Sequence, residues 1–308
     1  MYIDPAYQSA KFCVSTPADI FLVFRTLLNC LDCIILWNCY KIYTRRLEKM
    51  IIDTHAHYDD EAFDTDREAL LTSMYDGGIE KIVNVCASVG SFQDTVDLMG
   101  KYPFIYGAVG IHPDDADKMT QETLDEIRRL SHMDKMVAIG EIGLDYYWHK
   151  EEEEHQIQQK MFRAQLDIAR EEKLPFMIHS REAAEDTLNI VREYMQGGMY
   201  GGIIHCFSYS REIAAEYLKM GLYLGIGGVV TFKNAKKLKE TVQYAPLSQL
   251  VLETDCPYMS PEPNRGKRNS SLNLPYVAQA IAELKGITAE EVIDVTRQNA
   301  EKLLGIHQ

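Results

Sequence analysis

At residues 51 to 57 the chain reads Ile51-Ile52-Asp53-Thr54-His55-Ala56-His57, a short apolar run that ends in two histidines. Residues two apart in a strand point to the same face, so His55 and His57 would direct two imidazoles at one point. The stretch therefore predicts half of a metal site at the end of a strand. The alternative is two unrelated surface histidines, and the rest of the chain decides between the two interpretations.

Four later apolar runs also end in potential metal ligands, which are Glu141, His179, His205 and Asp255. Together with the two histidines of the first run they give four imidazoles and two carboxylates. All six stand at the ends of predicted strands, where a chance set of structural residues would not gather. This number of ligands is enough for two metal ions.

After Met50, apolar runs of strand length alternate with helical patterns, which is typical of βα units in a parallel sheet. We predict an α/β fold, a (β/α)8 TIM-type barrel, in which active residues gather at the carboxyl ends of the strands. A doubly wound open sheet is the alternative, but it would not bring the ends of five of these strands to one centre. The predicted strands span residues 51–55, 81–86, 105–111, 136–141, 176–179, 203–206, 223–227 and 250–255. The predicted helices span 67–75, 92–101, 122–130, 153–173, 182–195, 211–220, 235–244, 275–285 and 289–304, the last opened by a capping box of Thr288 and Glu291.

Residues 1–49 differ from the rest of the chain. Their apolar stretch, 20–37, contains Arg25 and Asp32 and so makes a poor membrane span, and the start of the chain lacks the basic region of a signal peptide. Met50 stands directly before the first predicted strand. We expect residues 1–49 to be an extension outside the core and residues 50–308 to be one barrel domain. A weak amphipathic membrane or partner segment is the alternative for the extension.

The formal net charge is −14 at pH 7. This balance argues against a protein that coats nucleic acid by bulk electrostatics, because such binding rests on lysines and arginines that displace counterions. It leaves open a local phosphate site built from metal ions. The seven cysteines are an odd number without framework spacing, and four of them precede residue 50. We expect reduced thiols, a cytoplasmic location and no stable membrane association.

Glu141 is the expected bridge between two metal ions. Paired ions about 3.5 to 4 Å apart need a bridging group, and a carboxylate with two oxygens serves that purpose. The strand of Glu141 lies in the middle of the set, with His55, His57 and Asp255 expected on one side and His179 and His205 on the other. Imidazole with carboxylate suits Zn, Mn, Fe or Co and does not exclude Mg, so the identity of the two divalent ions stays open.

Several longer motifs surround these ligands. They are Ile52-Asp53-Thr54-His55-Ala56-His57, Asp64-Thr65-Asp66-Arg67, Gly110-Ile111-His112-Pro113, Gly140-Glu141-Ile142-Gly143-Leu144-Asp145-Tyr146, Ile178-His179-Ser180-Arg181, His205-Cys206-Phe207-Ser208 and Glu253-Thr254-Asp255-Cys256-Pro257-Tyr258. Jointly they resemble the TatD family of metal-dependent deoxyribonucleases, within the amidohydrolase-like barrels, over residues 50–308. The resemblance implies a metal-dependent hydrolase that cleaves DNA phosphodiesters, typically from the 3′ end, with the six residues above as its metal ligands.

The loop after the eighth predicted strand is similar to the basic loop of that family, with one departure. It reads Arg265-Gly266-Lys267-Arg268-Asn269 and continues with Ser270-Ser271 instead of the usual Glu-Pro. Its cations and Arg181, just after His179, are the nearest positive charges for a phosphate backbone.

Further residues are expected around the metals. His112 is similar to a family position near the substrate phosphate, and we interpret it as a phosphate contact or a ligand of a third metal. Glu253 faces the same way as Asp255, and either holds a neighbouring side chain or joins the site. Aromatic residues at the mouth would stack on bases or pack the rim; these are Tyr146, Tyr147, Trp148, Phe207 and Tyr209. We interpret His132, His149, His155 and His307 as surface residues.

The expected reaction is in-line attack of a metal-bridging hydroxide on a DNA phosphodiester. Asp255 would also take the proton from the nucleophilic water, so Asp255 and Glu141 are the expected catalytic residues. The expected substrate is a 3′ end of DNA, in single-stranded form, and the oligomeric state stays open, with a monomer compatible. A two-metal amidohydrolase or phosphotriesterase that acts on a small molecule is the first alternative, although such enzymes often carry a carboxylated lysine where this chain has Glu141. A non-catalytic binding protein on the same barrel is the second, and the intact ligand set argues against it.

Overall fold

Eight parallel strands follow one another in chain order around a barrel in the computed structural model, which describes residues 50 to 307. The prediction of a (β/α)8 TIM-type barrel is confirmed. The strands are β1 (Ile51–Ala56), β2 (Ile79–Val85), β3 (Ile105–Val109), β4 (Met136–Asp145), β5 (Phe176–Arg181), β6 (Gly202–Ile204), β7 (Tyr223–Ile226) and β8 (Leu250–Leu252). The helices of the described part are α1 (Arg67–Thr72), α2 (Ser91–Lys101), α3 (Gln121–Ser131), α4 (Glu152–Glu172), α5 (Ala184–Gln196), α6 (Arg211–Lys219), α7 (Lys236–Tyr244), α8 (Leu274–Lys285) and α9 (Ala289–Leu304).

The sheet closes between its first and last strands. Ala56, at the end of β1, forms a parallel bridge with Cys256, just after β8. On either side of that bridge, the amide of His57 donates to the carbonyl of Cys256 at 2.9 Å, and the amide of Asp255 donates to the carbonyl of His55 at 3.0 Å. Three expected ligands therefore lie at the same seam, although the chain separates them by most of its length.

Each strand contributes to one buried apolar cluster. Because residues from all eight strands take part, this cluster fills the barrel interior, as layered side chains do in barrels of this type. Met177 and Ile203 belong to it and stand two positions before His179 and His205, so the interior packing sets the direction of both histidines. The members from β1 to β8 are Ile52, Val83, Val85, Ala108, Val137, Ala138, Met177, Ile203, Tyr223 and Val251.

Capping interactions fix where several helices begin. The hydroxyl of Thr120 accepts the amide of Thr123 at the start of α3, and Glu151 and Glu154 form a capping box before α4. At the start of α9, the hydroxyl of Thr288 accepts the amide of Glu291, which is the forward half of the capping box predicted there.

The largest difference from the predicted elements lies in β4. The sequence predicts that this strand ends at Glu141, whereas it continues to Asp145. Its last part pairs with β5, with Gly143 beside His179 and Asp145 beside Arg181. Glu141 therefore lies inside a strand and not at its end, and Asp145 takes the terminal position. Among residues 50–307, no helix is long and apolar enough to cross a membrane, and the predicted extension 1–49 lies outside the described residues.

Candidate metal centre

Glu141 lies at the centre of the six expected ligands, with 4% of its surface exposed. Its Oε2 atom is 3.3 Å from Nε2 of His55 and 3.8 Å from Nε2 of His57. Its Oε1 atom is 2.8 Å from Nδ1 of His179 and 3.8 Å from Nε2 of His205. The two oxygens of one buried carboxylate therefore face different histidines, which is the arrangement that a bridging ligand requires.

His55 and His57 meet as the alternation of β1 predicts. Their Nε2 atoms are 3.2 Å apart. A hydrogen bond fixes the orientation of the His57 ring, because its Nδ1 atom donates to the carbonyl of Val85 at 2.9 Å. Oδ1 of Asp255 lies 3.4 Å from Nε2 of His57 and 3.6 Å from Nε2 of His205.

His205 lies between the two expected groups of ligands around Glu141. Its Nε2 atom faces Oε1 of Glu141, as Nδ1 of His179 does, while its ring stacks on that of His55 with centroids 3.5 Å apart. The ring of His179 lies edge-to-face against the ring of His112, with centroids 4.4 Å apart. Four groups in the described part have donor atoms within 4.8 Å of one another: His55 with His57 and Asp255, His55 with Glu141 and His205, His112 with Glu141 and His179, and His205 with Cys206 and Glu253.

Two carboxylates hold the histidines of β5 and β6 from the side away from Glu141. Nδ1 of His205 donates to Oε2 of Glu253 at 3.1 Å, which leaves Nε2 directed at the centre. Nε2 of His179 donates to Oδ2 of Asp145 at 3.1 Å, which leaves Nδ1 directed at Glu141. Carboxylates in this position fix the tautomer of a ligating histidine and raise its basicity.

Glu253 holds His205 in place and is fully buried, so it faces away from the mouth. Its Oε1 accepts the amide of Cys206 at 2.5 Å. Gly225 on β7 provides the space, since a Cβ at that position would lie 2.1 Å from Oε2 of Glu253. Sequence reasoning left Asp145 without a role. Its signal was its spacing of four from Glu141, which places both side chains on one face of a strand that continues.

The six ligands perturb each other's pKa values strongly. Burial lowers the pKa of His55 to about 4, assisted by the charge of His205. Burial also opposes the charged forms of His57, His179 and His205, but nearby carboxylates outweigh it and raise their pKa values to about 9, 10 and 9. Burial disfavours the charge of Glu141, yet the imidazoles of His205 and His55 hold its pKa well below the usual range.

The donor set fits divalent metal ions. Two ionised carboxylates face imidazoles that carry protons at neutral pH, so protons here occupy positions that cations can take. The Nε2 atoms of His55 and His57 are 3.2 Å apart and share a single proton between them, so both would be free to bind a common cation once that proton is displaced. Imidazole and carboxylate together suit Zn and Mn and also accept Mg.

His112 lies at the edge of the centre, where a substrate can reach it. Its Nε2 atom is 3.9 Å from Oε1 of Glu141, and 16% of its side chain is exposed. Asp114 faces it from the next turn, with Oδ2 3.4 Å from Nδ1 of His112, and also contacts Nε2 of His149 at 3.0 Å. His149, predicted to be a simple surface residue, therefore belongs to the rim of the site.

The aromatic residues after β4 divide into two groups. Tyr146 turns towards the helices, because its hydroxyl donates to Asp186 at 2.8 Å and its ring stacks on His155 at 3.6 Å. This contact also corrects the interpretation of His155 as a plain surface residue. The next two residues, Tyr147 and Trp148, are 38% and 65% exposed. Tyr147 and Trp148 are therefore better placed than Tyr146 to contact a substrate.

The aromatic residues after β6 do not line the mouth as expected. Phe207 is 2% exposed and packs against Tyr217 and Tyr209. The hydroxyl of Tyr209 lies 3.0 Å from Oγ of Ser180 and accepts the amide of Ala183. These rings belong to the packing between β6 and the helices.

The basic loop after β8 is held by the residues that depart from the family pattern. Oγ of Ser271 donates to Oδ2 of Asp53 at 2.6 Å, and its amide donates to the hydroxyl of Tyr58 at 2.9 Å. Arg268 is committed to an ion pair with Asp66 at 2.6 Å and does not face the mouth. Arg265 and Lys267 remain exposed, with the guanidinium of Arg265 4.2 Å from the ring centroid of Phe232.

Comparison with known proteins agrees with this geometry. The family model described as TatD related DNase matches residues 52–305. The chain is 46% identical over 258 residues to the uncharacterized metal-dependent hydrolase YabD of Bacillus subtilis, covering 84% of this chain and 100% of that protein. It is 30% identical to the 3′-5′ ssDNA/RNA exonuclease TatD of Citrobacter rodentium, covering 83% and 98% of the two chains.

The fold comparison gives the same family. The crystal structure of YJJV, a TatD homologue from Escherichia coli K12, superposes with a TM-score of 0.78 and 28% identity, covering 84% of this chain and 100% of that one. An organophosphorus hydrolase, at 14% identity and a TM-score of 0.54, shares the fold alone. The chain belongs to the TatD related DNase family and is a metal-dependent hydrolase.

Proposed function

We propose that the chain is a two-metal exonuclease that removes nucleotides from the 3′ ends of single-stranded DNA. The observation that carries the proposal is the position of Glu141, whose two oxygens face separate groups of histidines. The Citrobacter rodentium relative, named as a 3′-5′ ssDNA/RNA exonuclease, supports the substrate and the direction, and adds RNA as a second substrate to test.

The ligands divide into two sets that share Glu141. His55, His57 and Asp255 would hold one ion, and His179 would hold the other through Nδ1. His205 directs Nε2 between Glu141 and Asp255, at 3.8 and 3.6 Å, and so can serve either set. When bound, two divalent ions lower the pKa of a water molecule and neutralise charge on the phosphate.

Asp255 is the group that takes the proton from the attacking water. Its side chain is 19% exposed, whereas that of Glu141 is 5% exposed, so Asp255 can reach a water at the mouth. Its pKa is lowered, because the hydrogen bond from His57 and the charges of the imidazoles outweigh burial. An ionised Asp255 is ready to accept a proton. His112 lies where it can donate to a phosphate oxygen.

The positive charges near the mouth are few. Arg181 follows the ligand strand β5, and Arg265 and Lys267 lie in the loop after β8. With a net charge of −14, the protein opposes the approach of a long polyanion, so local capture by these groups and the metal ions is required. A strand end can enter such a mouth more easily than the middle of a strand.

The test is an assay with metal-loaded protein and labelled substrates. Single-stranded DNA labelled at its 5′ end should give a ladder that shortens from the 3′ end, and a circular single strand should resist. RNA of the same sequence tests the second substrate. Asp255→Asn and metal-stripped protein should lose the activity in parallel.

Three outcomes contradict the proposal. Hydrolysis of a small phosphotriester without any cleavage of nucleic acid would identify a small-molecule hydrolase. Absence of hydrolysis on all substrates, with metal bound, would identify a binding protein. Cleavage of circular and linear strands at equal rates would refute the exonuclease direction.

We also propose that residues 1–49 lie outside the catalytic unit and that the protein works in the cytoplasm. The family model begins at residue 52, and YabD aligns along its whole length with 84% of this chain. In the described part, Cys86, Cys206 and Cys256 are free thiols, which suits a reducing compartment.

A further inference from the structure

Three residues at the mouth form an exposed aromatic corner, which we call the rim platform: Tyr147, Trp148 and Arg181. The rings of Tyr147 and Trp148 are nearly perpendicular, at 83°, with centroids 4.6 Å apart. The guanidinium of Arg181 lies 3.9 Å from the ring centroid of Tyr147 and 5.5 Å from that of Trp148. One face of Tyr147 is thus occupied, while most of the indole remains open.

The rim platform is attached directly to the metal centre through Asp145. Oδ1 of Asp145 accepts the amides of Tyr147 and Trp148 at 2.8 and 3.1 Å, while Oδ2 accepts Nε2 of His179 at 3.1 Å. Asp145 is 1% exposed, so this link is buried. In the backbone register of β4 and β5, Arg181 stands beside Asp145. One carboxylate therefore sets the position of the platform relative to a metal ligand.

Trp148 remains largely exposed despite its contacts with Tyr147 and Arg181. At 65% it is the most exposed large apolar side chain among residues 50–307. A planar ring that stacks on an exposed indole removes apolar surface of both rings from water, which is favourable. A cation fixed beside the indole attracts an anion to the same place. A flat apolar ring joined to a phosphate combines both features.

We propose that the rim platform binds a nucleotide of the substrate, with its base stacked on Trp148 and its phosphate paired with Arg181. This inference rests on the proposed function and identifies the part of the substrate that this edge of the site contacts. The base must be unpaired to expose its face, so the platform selects single-stranded ends. Stacking is tolerant of sequence, since every base has an aromatic face.

Binding can be measured without hydrolysis. The chain has two tryptophans, Trp37 and Trp148. In a Trp37→Phe background, the fluorescence of Trp148 alone reports on stacking. The probe is a short single-stranded oligonucleotide with phosphorothioate linkages, added to metal-loaded protein. A probe of equal length and charge without bases separates stacking from phosphate binding.

We expect the probe with bases to quench Trp148 and the abasic probe to leave it unquenched. Trp148→Ala, measured by anisotropy of a labelled probe, should weaken binding by about 5- to 160-fold, as the loss of one stacked base does. Trp148→Phe should recover part of the loss. Arg181→Gln should weaken both probes alike.

The matched control is Tyr244, a 50% exposed tyrosine on α7 with the guanidinium of Arg211 5.5 Å from its ring. Tyr244→Ala removes the same kind of arginine–aromatic pair without touching the metal ligands, and should leave binding unchanged.

Equal quenching by both probes, or unchanged affinity in Trp148→Ala while the wild type still degrades DNA, would overturn the platform and leave the nuclease proposal standing. If the wild type does not cleave nucleic acid, the proposed nuclease function is wrong. If Trp148 is also unquenched in the same preparation, both the nuclease function and the rim platform are wrong.

Discussion

Glu253→Gln tests how the site prepares His205 for a metal. The substitution keeps the size of a buried side chain but replaces one acceptor oxygen by a donor NH2. In the native chain both oxygens accept, one from Nδ1 of His205 at 3.1 Å and the other from the amide of Cys206 at 2.5 Å. A glutamine can satisfy only one of these two donors.

Either orientation of the glutamine harms the site. If its oxygen faces Cys206, its NH2 faces Nδ1 of His205, and the imidazole must move its proton to Nε2, the atom directed at Glu141. If its oxygen faces His205, two N–H groups oppose each other at Cys206. Loss of such an outer carboxylate costs 10- to 100-fold in metal affinity, or about 1.4 to 2.7 kcal/mol.

The assay is a competition titration of metal against a chelating dye, with ions counted per chain. Glu301→Gln is the control, because Glu301 is a half-buried partner of Lys81 and Arg297 outside the metal centre. Nitrogen-detected NMR of the histidine rings in the presence of metal should show His205 protonated at Nδ1 alone in the wild type and at Nε2 in the variant. Unchanged affinity together with an unchanged tautomer would refute the role assigned to Glu253.

Four further changes test the fold and the centre. Glu141→Gln should reduce turnover by more than about 100-fold, beyond the effect of an outer-shell change, and lower the metal content, since one carboxylate faces both sets of ligands; two bound ions with near-normal turnover would show that Glu141 is not the bridge. Ser271→Ala should destabilise the protein by about 2 kcal/mol in denaturant unfolding, because Asp53 loses a buried hydrogen bond and burial already raises its pKa to about 7; an unchanged free energy of unfolding would exclude that anchor. The third change is a pH titration in EDTA. The folded pKa values of His57, His179 and His205, about 9 to 10, exceed the unfolded value of 6.5, so the stability that these imidazoles add is complete below pH 6.5 and is lost as the pH rises through 9 to 10. The melting temperature should therefore fall between pH 7 and 10 more steeply without metal than with it, and parallel falls would contradict this assignment. A chain that starts at Met50 should keep its solubility and its hydrolase activity, and loss of folding would place the extension within the domain.

The fold was predictable because its signals are local. Apolar runs and helical patterns mark each βα unit, and a parallel sheet brings the ends of its strands together. The gathering of the six expected ligands around one centre was predictable for the same reason. The end of β4 was not found, because its last residues, Ile142 to Asp145, are held by pairing with β5, and that pairing depends on register and not on local composition.

Contacts between distant parts of the chain were beyond sequence reasoning. Arg268 pairs with Asp66 across 202 positions, so a cation expected at the mouth is used to hold the loop. The stacking of His205 on His55 was also hidden, since the linear order of strands does not show which rings meet inside the barrel. The exposure of Trp148 and the burial of Phe207 depend on the same three-dimensional packing.

The barrel seam has a consequence for assembly. His55 and His57 stand at the end of β1, at the start of the domain, whereas Asp255 follows β8 about 200 residues later. The side chain of Asp53 accepts a hydrogen bond from the amide of Thr254, 201 positions away in the chain. An ion shared by these side chains would cross-link the first and last strands of the sheet. Ligand binding to the native state alone adds to its stability, so metal loading and closure of the barrel become one equilibrium. Incomplete chains would carry the first two histidines without a competent site, and hydrolysis would begin only after the last strand has joined the first.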